Sequence, residues 1–309
     1  MKFTNTRSLR IALVTNALFS LTSGMLMIFE SEVVGAWLGI TSLSVLQVIG
    51  VGLLIFSADL FHQATRPRIV TWRALYASAG DFLWVISTFV LIVLFPSMLS
   101  QTGNGLAVLI AIAVAIFGVW QVLAIGEAHR IKGSELYRHC ILIRTDVAPD
   151  AMWRVINNLG AIKKYSPMLK KSVVLDGESS GIGAVRMCEN RAGKCWSEEC
   201  VDYNEGKGFE VRFQSEAPDF PFPAKTMRGG WEILPHASDN GSDIMVWWEL
   251  EPKPKYLSSI IMPLLAFQAD RDFPKVVQRM AADAIETAPD TSVQKQSISV
   301  AARLLPKLC

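Results

Sequence analysis

Charge is scarce in this chain. Charged residues make up 19% of its 309 positions and hydrophobic ones 51%, whereas a soluble domain usually carries about 25% charged residues. The 30 Lys and Arg nearly cancel the 28 Asp and Glu, for a net charge of +2. That balance excludes the strong basic excess of a nucleic-acid-binding protein. Histidine is rarer still, at positions 62, 129, 139 and 236, with no metal-ligand spacing between them. No H-E-x-x-H occurs, so neither a metal nor any other cofactor is expected. Five cysteines (140, 188, 195, 200 and 309) form no C-x-x-C pair. That count is a poor disulfide framework and a poor zinc site, so the ordinary reading is small buried side chains in a reducing compartment.

The shortage of charge is uneven. Residues 1–128 carry six Lys/Arg and five Asp/Glu, leaving 24 and 23 for the other 181. Within the first part lie four apolar runs, about Leu9–Ile28, Leu43–Phe61, Leu75–Phe95 and Leu106–Ile125. Each approaches the ~20 residues that cross a ~30 Å hydrocarbon layer as a helix. The first follows Lys2, Arg7 and Arg10 but lacks a small-x-small cleavage site, so it reads as a retained helix. Cations alternate between the connections: three at the N-terminus, none in 30–42, Arg66, Arg68 and Arg73 in the next, none in 96–105, then Arg130, Lys132 and Arg138. By the positive-inside rule this predicts a multi-pass protein of the cytoplasmic (inner) membrane, with both termini and everything after residue 130 cytoplasmic.

Two acids fall inside these runs, Asp59 and Asp81. An acid in a span is a functional suspect by default. Both are expected toward the cytoplasmic boundary, satisfied by Arg66, Arg68 or Arg73 or by snorkelling, in preference to ion or proton transport. Asn16, Gln47 and Gln121 read as interhelical hydrogen-bonding groups, and Gly24, Gly35, Gly39, Gly50, Gly52, Gly80 and Gly118 as close-packing positions.

From Tyr137 the pattern changes to alternation. Residues 138–146 read as a strand, and Pro149 opens a short helix with Met152, Val155, Ile156 and Leu159 on one face. A second short helix at 161–165 precedes strand-like runs at 170–176, 182–190, 194–203, 208–215, 225–235 and 243–251, joined by Gly-, Asn- or Pro-bearing connections. Residues 256–286 read as one long helix that Pro263 and Pro274 should kink or divide. The predicted organisation is a four-span all-α membrane region (1–130), a linker (131–137), an α+β domain (138–286) and a polar, disordered tail (287–309).

The order of the second part resembles the helix-grip fold of the SRPBCC (START/Bet v 1-like) superfamily, and within it the polyketide cyclase/dehydrase-like group. The segments that carry the resemblance are I-R-T-D-V-A-P-D-A-M-W-R-V-I (143–156), I-K-K-Y-S-P (162–167), G-I-G-A-V-R (181–186), W-S-E-E-C-V-D-Y (196–203) and M-R-G-G-W-E-I (227–233). G-I-G-A-V-R is no dinucleotide fingerprint: it opens a strand, lacks a third glycine, and no crossover helix follows. The resemblance implies an antiparallel sheet gripping the long C-terminal helix, with an apolar cavity between them. A ligand burying about 300–400 Å² there would gain roughly 8–10 kcal/mol gross, before the costs of association.

Candidate lining residues are Trp196, Phe213, Trp231, Trp247, Met262 and Phe267, with Trp153, Trp248, Phe222 and Leu265 in reserve. Arg186 and Glu198 are candidate polar ligand-binding groups. The neighbouring Glu198 and Glu199 must point to opposite faces, so at most one enters the cavity. The family pattern favours Glu199, which with Tyr165 is the candidate for acid–base catalysis. An Arg186–Glu pair across neighbouring strands is expected as a structural ion pair at the rim. The leading functional expectation is a membrane-tethered carrier or sensor of a hydrophobic small molecule or lipid, without catalysis. The alternatives are a cyclase or dehydratase-like enzyme, or a four-helix membrane protein with the soluble domain regulatory.

Overall fold

Nothing polar interrupts the first helices long enough to end them before their spans are complete. The computed structural model describes residues 5–175, 179–235, 241–287 and 302–305. The chain divides into two units, Thr4–Ala128 and a second from His129 onward. The first holds α1 (Arg7–Phe29), α2 (Ser31–Leu38), α3 (Leu43–Thr65), α4 (Thr71–Leu94) and α5 (Gln101–His129, whose last residue falls in the second unit). Helices α1, α3, α4 and α5 are each long and apolar enough to cross a membrane. The short α2 replaces the plain connection expected over 30–42, and it stops at Gly39, whose φ of +76° is the left-handed conformation that ends helices. Leu9, Leu13, Leu60 and Ile125 are fully buried within this unit, alongside Ala17, Ala74 and Ala77.

Helices α1 and α3 meet through glycine. A Cβ on Gly24 would lie 2.8 Å from the Gly50 carbonyl oxygen, and one on Gly50 would lie 2.8 Å from that of Gly24. Only small residues permit backbones to approach this closely. Asp59 pairs with Arg73 and accepts from Gln63 Nε2 at 2.5 Å. Asp81 departs from the expected arginine partner. It is 3% exposed and accepts from Asn16 and Gln121 instead. The reason lies in the helix boundaries: α4 begins at Thr71, so Asp81 lies ten residues along it, about 15 Å from its start.

The second unit is an antiparallel sheet with helices on one face. Its strands are β1 (Tyr137–Thr145), β2 (Leu169–Leu175), β3 (Val185–Asn190), β4 (Cys195–Asn204), β5 (Gly208–Phe213), β6 (Ala224–Pro235), β7 (Ser242–Pro252) and β8 (Arg303–Leu304). They follow the order β2-β3-β4-β5-β6-β7-β1-β8, an open sheet with the first strand beside the seventh. Helix α6 (Pro149–Ile156) starts on its proline, α7 is Ile162–Tyr165, and α8 spans Ser258–Glu286. Helix α8 runs on through Pro263 and Pro274 undivided, although each removes one backbone donor. This is a helix-grip, START-like fold. Of the tail read as disordered, 302–305 supplies β8, where Ile143 pairs with Leu304; the rest beyond Thr287 lies outside the described residues.

One face of the sheet packs against α6 and α8 through Ile141, Ile143, Val211, Trp231, Ile244, Val246, Val277 and Met280. The other carries ion pairs, among them Arg138 and Arg228 on Glu249 and Arg144 on Asp243. Cys188 and Cys200 are buried free thiols and Cys195 an exposed one, whereas Cys140 is disulfide-bonded, against the expectation of reduced cysteines throughout.

Candidate functional site

A cavity of about 450 Å³ lies between the sheet and α8. That volume is within the ordinary range for small-molecule sites. The strands present alternate residues to it. Arg186 and Cys188 come from β3, Trp196 and Glu198 from β4, Val211 and Phe213 from β5, and Met227, Gly229 and Trp231 from β6. From α8 come Leu265, Gln268, Ala269, Asp272, Phe273 and Val276, a stripe at helical spacing. The connection before β6 supplies Pro221, Phe222 and Pro223. Phe222 stands edge-on to Trp196 with ring centroids 5.4 Å apart, and edge-on to Phe213 at 6.0 Å.

The polar groups of the β3 and β4 wall are satisfied by one another, while on α8 Gln268 donates to Met168 and Asp272 pairs with Arg271. Arg186 and Glu198 are register partners on β3 and β4, 7% and 4% exposed. Arg186 donates from Nε at 2.9 Å and Nη2 at 2.5 Å to one oxygen, Glu198 Oε2, and from Nη1 to the Leu159 carbonyl at 3.2 Å. The other carboxylate oxygen accepts from Trp196 Nε1 at 2.6 Å. Burial opposes the Arg186 charge, but the Glu198 carboxylate more than offsets it, so the guanidinium is shifted upward and stays charged. Beside it the Cys188 thiol is pushed up to about 11, first by burial and then by Glu198. The strand side of the wall therefore holds a neutral thiol and a closed ion pair.

Several candidates fall elsewhere. Glu199 does not enter the cavity. It lies on the opposite face of β4, paired with Arg212 at 2.6 Å, because Glu198 takes the inward position. Tyr165 is buried but hydrogen-bonded to Asp283 of α8, and burial followed by that carboxylate raises its phenol well above the usual range. A phenol that holds its proton so tightly is a poor catalytic base. Trp247 borders the cavity, but its indole lies across Gly230 on the far face, where Nε1 donates to Glu232 at 3.2 Å and Arg138 stacks over the ring. Met262 is fully buried beside Trp248 and Leu250, and Phe267 is 39% exposed under Arg271. Met262 shares the face of Leu265 and Ala269 but lies one turn earlier, packed into the core beyond the lining, whereas Phe267 sits off that face. Trp153 donates to Glu205 at 2.8 Å and is core.

Sequence reading also missed His139. Its Nε2 lies 3.0 Å from Asp270 Oδ1, tying β1 to α8, and its ring is 5.6 Å from that of His129. His236 lies outside the described residues, among which no group of three His, Cys, Asp or Glu is arranged to hold a metal. The sequence does contain one G-x-S-x-G, G-E-S-S-G at 177–181, against the expectation of none. Gly177 and Glu178 lie outside the described residues, and the flanking β2 and β3 pair antiparallel, unlike the strand-to-helix setting of a nucleophile elbow.

Residues 143–285 match the family described as polyketide cyclase / dehydrase and lipid transport. The C-terminal domain is SRPBCC/Bet v 1-like. Solved structures similar to this part of the chain include an uncharacterised protein from Bacillus thuringiensis, 14% identical over 46% of this chain and 98% of its own, with a TM-score of 0.39. Another is truncated norcoclaurine synthase from Thalictrum flavum, 14% identical over 50% and 96%, TM-score 0.40. A third is a protein from Thermobifida fusca, 16% identical over 48% and 95%, TM-score 0.39. No curated protein matches the chain.

Proposed function

We propose that this chain is a membrane-tethered binding protein, a carrier or sensor, for a neutral hydrophobic small molecule or lipid held in the cavity of its SRPBCC domain. One observation carries the reading: a cavity of about 450 Å³, walled by Trp, Phe, Val, Leu and Met, whose ion pair is already closed. Apolar surface drives entry, and the polar groups select orientation. Because Glu198 neutralises Arg186, an acidic ligand would bring an unpaired charge into the cavity at a cost of several kcal/mol. A ligand with one hydroxyl, ester or carbonyl escapes that cost.

The apolar helices α1, α3, α4 and α5 supply the tether, and seven residues separate α5 from β1. Arginine and lysine in alternate connections support a cytoplasmic location for both termini and the SRPBCC domain. The catalytic reading gains no support, since Glu199 and Tyr165 are engaged away from the cavity.

Native mass spectrometry of the full chain, purified in detergent and incubated with a total membrane lipid extract, tests the proposal. We expect a bound neutral species that survives Glu199→Gln and leaves unaltered in mass. An empty protein, or one that converts its guest, would overturn the reading.

A further inference from the structure

Ten residues along α4, an acid is enclosed by amides. We propose that Asp81, with Asn16 and Gln121, forms a proton-binding site inside the four-helix unit, in which the carboxyl group is held as the neutral acid. The inference rests on packing within that unit and is independent of what fills the SRPBCC cavity.

Asp81, Asn16 and Gln121 are 3%, 1% and 0% exposed. Asn16 Nδ2 lies 3.1 Å from Asp81 Oδ1 and 2.9 Å from Oδ2, and Gln121 Nε2 lies 2.8 Å from Oδ2. Gly118, one turn before Gln121 on α5, permits this approach: a Cβ there would lie 3.3 Å from that of Asp81. Every partner is neutral. The charged groups of the neighbouring elements are occupied or distant along their helices. On α4 and α3, Arg73 and Asp59 pair with each other. On α1, Arg10 donates to the carbonyls of Ala64 and Pro67, and Arg7 lies in the first turn. On α5, Glu127 and His129 lie six and eight residues beyond Gln121, and on α4 Tyr76 is 76% exposed. Among the described residues no Lys, Arg or His pairs with Asp81. A carboxylate enclosed without a counter-charge sheds its charge by taking a proton.

The geometry favours a proton over a metal ion. Ser20 Oγ donates to Asn16 Oδ1 at 3.3 Å, which fixes the Asn16 amide with its N–H toward Asp81 and its oxygen away. A cation would need that oxygen. Gln121 Oε1 is buried and has no hydrogen-bond partner. It is the acceptor a protonated Asp81 requires: after a half-turn of the Gln121 amide, Asp81 O–H donates to Oε1 while Asn16 still donates to the other carboxyl oxygen. The proton comes from bulk water, and the number of orphaned amide groups is unchanged.

Infrared spectroscopy of the full chain in lipid nanodiscs, taken from pH 8 down to pH 5, tests the site. We expect a protonated-carboxyl carbonyl band that shifts in heavy water, is absent in Asp81→Asn and persists in Asp59→Asn. In Gln121→Met the band should move to higher frequency as its hydrogen bond is lost. Coincident spectra for the native and Asp81→Asn proteins would overturn the proposal. Should Asp81→Asn fail to fold, a band unmoved in Gln121→Met would overturn it equally.

Discussion

Arg186 and Glu198 face each other across β3 and β4, and the guanidinium gives two hydrogen bonds to a single carboxylate oxygen while Trp196 takes the other. Removing one partner from such a pair strands the other charge, at about 3–5 kcal/mol, whereas replacing both with apolar residues is often neutral. Arg186→Ala and Glu198→Ala should therefore each lower the stability of the SRPBCC domain by that amount. The double variant Arg186→Met/Glu198→Leu should recover most of it. Tryptophan-fluorescence denaturant curves on the full chain measure all three. Equal losses in single and double variants would show that the pair does not act as a unit.

Of the three free thiols on β3 and β4, Cys195 and Cys188 should differ in reactivity. Cys195 is exposed, while Cys188 lines the cavity at 1% exposure with its thiol pushed up to about 11. Since the thiolate is the reactive form, raising the pH toward 11 should be needed before Cys188 reacts appreciably. At pH 7 a maleimide should label Cys195 and spare Cys188, as peptide mass mapping would record. Labelling of both at similar rates would contradict the buried placement.

Tyr165 tests the catalytic alternative. Its hydroxyl donates to Asp283, which also accepts from Lys164 at 2.5 Å, and these two contacts hold the Asp283 carboxyl below the usual carboxylate range. A depressed folded-state value means that the stabilisation is present above the unfolded value of about 3.9 and is lost as pH falls below it. Tyr165→Phe should cost about 1 kcal/mol, weaken that acid sensitivity and leave ligand loading intact. Loss of loading with unchanged stability would return Tyr165 to the site.

Much of this architecture is legible in the sequence because two periodicities carry it. Alternation from Tyr137 onward locates β1 to β7 within a few residues, and long apolar runs locate the four helices. What escapes are the choices that periodicity leaves open. Trp247 and Trp248 are adjacent and both apolar, so only the pairing of Trp247 with Cys140 decides which indole meets α8. Glu198 and Glu199 pose the same problem on β4. On α8, spacing alone would have set Phe267 aside from the stripe Leu265–Ala269–Phe273–Val276, but not Met262, which is on that stripe one turn before the cavity. The partners of Asp81 escape because its depth depends on where α4 begins: from Thr71, not Leu75, it lies ten residues along the helix and away from the boundary where Arg66 and Arg68 lie.

Glycine sets the distance between α1 and α3. Gly24→Leu would drive its side chain into the Gly50 carbonyl and Leu54, separating the two helices. Thermal unfolding of the detergent-solubilised chain, followed by helical circular dichroism, should fall by several degrees. Gly52→Leu, where a Cβ meets nothing within 4 Å, should leave it unchanged. A similar response from both positions would mean that the close approach is not what holds the pair.

Calorimetric titration asks directly whether a neutral guest fills the space between the sheet and α8. Purified full-length protein is titrated with a long-chain alcohol, with the fatty acid of equal length, and again with the alcohol after Val211→Phe. We predict that the alcohol binds at least tenfold more tightly than the acid, with a negative heat-capacity change, and that a ring in place of Val211 abolishes binding while the fold persists. Binding that is indifferent to Val211→Phe, or stronger for the acid, would contradict the account.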